Sequence, residues 1–161
     1  MDMKFYLVFV TAFIPLLVGM VYYNRAVLGN AWMQASGMTE EKGKSMNMIL
    51  IFVLTYIFGL MASVALSSIV IHQIGVFSVL NGDESAEAKA FLKNFMDTYG
   101  PRFRTFKHGV LHGVIAALFI ALPVVGVGAM FEAKGWKYIA IHVGYWVITF
   151  ALIGGVLCQF V

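Results

Sequence analysis

The sequence predicts an all-α, polytopic membrane protein. Its expected fold is four membrane-spanning helices in an antiparallel bundle, with an amphipathic helix in the second loop, as a single membrane domain over 1–161. Three observations carry this. The chain is 61% hydrophobic and 12% charged, whereas a soluble domain is nearer half apolar and a quarter charged. Four stretches free of Asp, Glu, Lys and Arg occur, at 5–24, 45–82, 108–131 and 138–161. Each reaches the roughly 20 residues that cross a ~30 Å hydrocarbon core. Finally, a mean hydropathy of +0.86 leaves more apolar surface than a water-soluble fold of this size can hide.

The first span is expected over 5–24. It is too long for the apolar region of a signal peptide, and no small-residue cleavage site follows, so it reads as a retained span. Pro15 lies inside it and Pro123 inside the third span. In a bundle, neighbouring helices re-satisfy the freed carbonyl, so both prolines predict kinks.

In the first loop, Thr39 followed by Glu40 and Glu41 is a helix start, with a capping hydroxyl ahead of acids that the helix dipole favours. The second span's helix is therefore expected to begin ahead of the bilayer. That span is 48–71, interrupted by His72-Gln73, after which 74–80 stays apolar. The remainder either continues the helix, lies at the interface or re-enters the membrane.

The second loop predicts a helix over 85–99, because Phe91, Leu92, Phe95, Met96 and Tyr99 share one face and Gly100-Pro101 ends it. It reads as a helix on the membrane surface, or as a lid or docking helix. The third and fourth spans, 108–131 and 138–160, are joined by a short link and are expected to pack side by side.

This topology puts Lys4, Lys89, Lys93, Arg102, Arg104 and Lys107 on one side, against Arg25, Lys42, Lys44, Lys134 and Lys137 on the other. The cluster before the third span places both termini in the cytoplasm of a bacterial inner membrane. The net charge of +3 belongs to loop anchors facing lipid headgroups. No basic stripe with interleaved aromatics is present, so the lipid bilayer and not nucleic acid is the expected contact. Cys158 is the single cysteine, which excludes an intrachain disulfide.

The histidines are the most informative polar residues. His108 and His112 are four apart and share a helix face, and the topology brings His72 to the same membrane side. Ser68 precedes His72 by four residues on the same expected helix. Three neutral imidazoles form a zinc site with an open position; haem with axial histidines is the second use; interfacial histidines bonded to carbonyls or water are the plain one. His142 lies on the opposite side, near Glu132 and Tyr145 in sequence, where a proton-handling role competes with a buried polar contact.

Gly109 and Gly113 form a G-x-x-x-G pair that lets backbones approach closely, within the chain or between subunits. Ala151 and Gly155 form a second small-residue pair. Tyr22, Tyr23, Trp32 and Trp136 fall on one side as an aromatic belt, and the ten methionines look scattered. No phosphate loop, no G-x-S-x-G and no intramembrane carboxylate pair is present.

The stretch Tyr22-Tyr23-Asn24-Arg25-Ala26-Val27-Leu28-Gly29-Asn30-Ala31-Trp32-Met33-Gln34-Ala35-Ser36-Gly37 resembles the W-Y-x-P-x-x-F-G-x-x-W-M-x-x-x-G signature of a family of small bacterial membrane proteins of unknown function. Tyr22 stands for the Trp, Arg25 for the Pro and Leu28 for the Phe; Gly144-Tyr145 and Gly154-Gly155 fit the closing span. The resemblance implies a four-helix inner-membrane protein and hands over no catalytic residues. In physical terms the motif ends a helix, turns at Gly29 and plants Trp32 at the interface.

Three functional classes follow. The first is an accessory protein acting through association, as a homo-oligomer or with a membrane-protein partner. The second is a small transporter or channel subunit. The third is a metal-dependent membrane enzyme built on His72, His108 and His112, with Ser68 or water as nucleophile.

Overall fold

A computed structural model describes residues 4–161, and every regular element among them is helical. Three helices are long and apolar enough to cross a membrane: Met48–Val70, Phe106–Phe131 and Trp136–Phe160. The predicted first span arrives as a shorter apolar rod, Tyr6–Tyr22, broken into α1 (Tyr6–Thr11) and α2 (Ile14–Tyr22). The break precedes Pro15, which has no N–H to donate and whose ring crowds the carbonyl four residues earlier. There the backbone tightens, Phe13 N donating to Val10 O at 3.2 Å. Thr11 Oγ1 lies 3.0 Å from both Val8 O and Ser63 Oγ, tying the break to the next long helix.

The first loop folds into α3 (Gly29–Ser36) and α4 (Glu40–Ser45). Gly29 thus begins a helix; a Cβ there would run into the backbone of Tyr23 and Asn24. The predicted Thr39 cap is present, its Oγ1 accepting from Lys42 N at 3.2 Å. The helix it starts does not run on into the second span. Met46 is extended, and Asn47 caps α5 (Met48–Val70) separately, accepting from Leu50 N at 3.0 Å.

At its other end α5 stops at Val70, and Ile71 turns the chain (φ −108°, ψ 89°) into the short α6, Gln73–Val79. Continuation of one long helix past His72 is therefore excluded. So is the helical spacing that would have put Ser68 and His72 on one face. The second loop forms α7 (Ala86–Tyr99), capped by Ser85, with Phe91, Phe95 and Tyr99 in contact along one side.

The third long helix has three parts: α8 (Phe106–Ala116), a wider π-helical turn at Ala117–Ala121, and α9 (Leu122–Phe131). The wide turn lies directly ahead of Pro123, where a regular α-turn would clash with the proline ring. The last helix, α10 (Trp136–Phe160), is the most buried of the long ones.

Helices α8 and α10 run in opposite directions, backbone to backbone. A Cβ on Gly109 would meet the Gly154 carbonyl, and one on Gly113 the Phe150 carbonyl. The G-x-x-x-G face is thus filled by a helix of the same chain. Around this seam Leu66, Val70, Ile71, Ile153, Leu157 and Cys158 form the main buried cluster. Large apolar side chains elsewhere point outward, among them Ile49 (78% exposed) and Phe119 (76%).

The aromatic residues assigned to a belt differ in their roles. Trp136 is exposed, but Tyr22 donates to Ile141 O at 3.0 Å and Tyr23 packs against Trp32 and Tyr145, which holds α2 onto α10.

Candidate metal centre

The centre forms where α5 ends and α8 begins. Thr105 Oγ1 accepts from His108 N at 3.2 Å and starts α8. The four-residue spacing then sets His108 and His112 side by side, ring centroids 4.4 Å apart and tilted by 58°. The turn after Val70 delivers His72 to both: its ring centroid is 5.0 Å from that of His108 and 4.9 Å from that of His112. His72 Nε2 and His108 Nε2 are 2.9 Å apart. One ring nitrogen from each of the three residues lies within 4.8 Å of the others. His72 is exposed, and His108 and His112 are partly buried.

The scaffold behind the rings is built from polar contacts that span distant segments. Gln73, beside His72 and almost fully buried, aims its amide nitrogen at three carbonyls: Tyr99 (3.2 Å), Gly100 (3.0 Å) and Arg102 (2.9 Å). This clamp fixes the loop that carries Phe103, whose ring stacks on His108 at 5.1 Å and 19°. Phe103 holds φ at +64°, a left-handed conformation that costs a bulky residue about 1–2 kcal/mol.

Below it, Cys158 Sγ sits 3.3 Å from both Val70 O and Phe103 O. Arg104 donates from Nε to Cys158 O at 2.8 Å and from Nη2 to Val161 O, closing the last turn of α10. Burial pulls the Arg104 guanidinium below its ordinary value, while Cys158 opposes the shift. Gln159 Oε1 accepts from Phe106 N at 3.1 Å, so each helix terminates the other.

A tetrahedral zinc with bonds of ~2.0 Å holds its nitrogen ligands about 3.3 Å apart. The 2.9 Å between His72 Nε2 and His108 Nε2, and the 4.8 Å limit on all three nitrogens, are close to that value. As placed, the His72 and His108 rings touch through their Nε2 atoms, with no space between these two for a haem. A pocket of about 400 Å³ borders the centre, lined by His72, Gln73, Phe95, Tyr99, Arg102 and Phe103.

Ser68 makes no hydrogen bond to the cluster among the described residues. His142 lies apart from it: Nδ1 is 3.4 Å from Tyr23 Oη, the ring packs on Tyr138 and Nε2 is buried without a partner. Glu132 makes no hydrogen bond with His142 among the described residues. The residue pattern marks the three histidines as ligands, but gives no scaffold role to Gln73, Phe103 or Arg104, which hold them. The one available signal was Gln73 itself, an amide inside an apolar run.

No curated protein and no solved structure matches the chain. A family model described as "Protein of unknown function (DUF1761)" matches residues 6–158. The chain belongs to that protein family of unknown function, DUF1761.

Proposed function

We propose that this is a membrane protein that binds a zinc ion through His72, His108 and His112. The supporting observation is the convergence of three imidazoles, from two segments 36 residues apart, onto a volume where their nitrogens lie within 4.8 Å. Three protein nitrogens leave the fourth tetrahedral position open, the pattern of catalytic and not of closed structural sites. A zinc ion there supplies Lewis acidity. Arg102 borders the same pocket, which favours an anionic substrate and a metal-assisted reaction over transport.

The same proposal takes Tyr6–Tyr22 as a fourth span. The stretch from Tyr6 to Tyr22, two helices joined by a turn, extends about 26 Å at helical rise, close to the ~30 Å core, giving a four-helix antiparallel bundle. The cations before α8 favour both termini in the cytoplasm of an inner membrane. Association with another copy or a larger complex rests on the outer face of α7, where Phe91 is 57% exposed.

The test is zinc binding by the purified full chain against a chromophoric chelator. One zinc per chain, with affinity reduced more than about tenfold by His72→Ala, His108→Ala or His112→Ala, supports the reading. No zinc retained, or variants that bind as the parent does, overturns it.

A further inference from the structure

The opposite part of the fold contains a second and larger cavity, of about 840 Å³, between α2, α3, α4 and α5, reaching Tyr145 on α10. It shares no lining residue with the histidine centre. Its volume falls within the range of roughly 300–1,000 Å³ typical of small-molecule sites.

The walls are apolar and adaptable. Met20, Met33, Met38, Met46 and Met48 all line the cavity, so half of the chain's ten methionines meet there. Unbranched thioether side chains fit flexible, irregular apolar ligands. Tyr23, Trp32 and Phe52 add aromatic surface.

The charged residues sit together on the α4 side. Glu40 and Lys44 are one helical turn apart, the spacing at which they would pair with each other. Instead Glu40 Oε1 accepts from Arg25 Nη2 at 2.6 Å, and Lys44 makes no ion pair among the described residues. Two cations and one carboxylate thus line an apolar cavity, and the seated carboxylate is the protein's own. An arginine fork and a free ammonium are matched to a second carboxylate.

We propose that this cavity binds a long-chain fatty-acid carboxylate, its tail among the methionines and its head at Arg25 and Lys44. Trp32 lines the cavity and reports occupancy directly.

The test uses the full chain in neutral phosphatidylcholine nanodiscs, with Trp136→Phe and Trp146→Phe so that Trp32 is the remaining indole. Dibromostearate is added, and Trp32 quenching is followed. The expected result is saturable quenching, with affinity reduced about fivefold by Lys44→Glu and reduced likewise for the uncharged methyl ester. Quenching that rises linearly with bromolipid fraction, as for lipid at the protein surface only, overturns the proposal. So does saturable quenching that is indifferent to Lys44→Glu or to esterification. Zinc binding at the histidine centre is unaffected by either outcome.

Discussion

His72 Nε2 and His108 Nε2 face each other at 2.9 Å, although 36 residues separate them in the chain. Two neutral imidazoles meeting this way form one hydrogen bond, so one Nε2 carries the proton and the other accepts it. Zinc held by both atoms requires a lone pair on each. The metal-free protein is expected to show one protonated and one bare Nε2 in this pair. Zinc is expected to move the remaining proton to Nδ1. Nitrogen-15 NMR of histidine-labelled protein checks this; an unchanged tautomer pattern at saturating zinc contradicts ligation by this pair.

Gly109 and Gly113 have no room for a side chain against Gly154 and Phe150. Gly113→Leu is expected to force α8 off α10 and to cost at least the roughly 1–3 kcal/mol typical of overpacking. A lowered unfolding temperature in detergent, with a smaller drop for Gly126→Ala, is the expected pattern. Gly126 has open space around it, so equal effects at the two sites would deny the close seam.

Gln73 is a positioning residue for the centre. Gln73→Leu leaves the carbonyls of Tyr99, Gly100 and Arg102 without their donor, at a cost of about 1–3 kcal/mol for a buried unsatisfied group. The variant is expected to be cut faster by trypsin at Arg102 and Arg104. It should also bind zinc more weakly, because Phe103 loses its fixed place against His108. Unchanged cleavage would show that the loop is held by other contacts.

Arg104 closes the C-terminal turn of α10 through the carbonyls of Cys158 and Val161. Arg104→Ala is expected to destabilise that turn by about 1 kcal/mol. Amide exchange over 157–161 should accelerate, while exchange near Tyr145 stays slow. Lysine at this position recovers part of the protection, since it keeps the charge and loses the fork.

Much of this arrangement is readable in the residues. His108 and His112 share a face because the spacing is helical, and alternation of spans brings His72 to the same side. The caps at Thr39 and Ser85 are written in residue type. The end of α5 is marked by His72-Gln73 inside the apolar run, but the turn that follows is not, because neither glycine nor proline marks it. It depends on contacts made from elsewhere, by Cys158 to Val70 O and by Gln73 to the loop after α7. The positive φ of Phe103 is also unreadable, since a phenylalanine gives no sign of left-handed backbone. The methionines look scattered along the chain and meet only when α2, α3, α4 and α5 close around one cavity.

The most direct test of the metal centre is zinc K-edge X-ray absorption on the full chain loaded with one equivalent of zinc. The account predicts three imidazole nitrogens at ~2.0 Å and one further light-atom ligand, with the imidazole signal reduced in His112→Ala. A sulfur shell at ~2.3 Å, which would place Cys158 on the metal, contradicts it. So does a zinc environment without imidazole scattering.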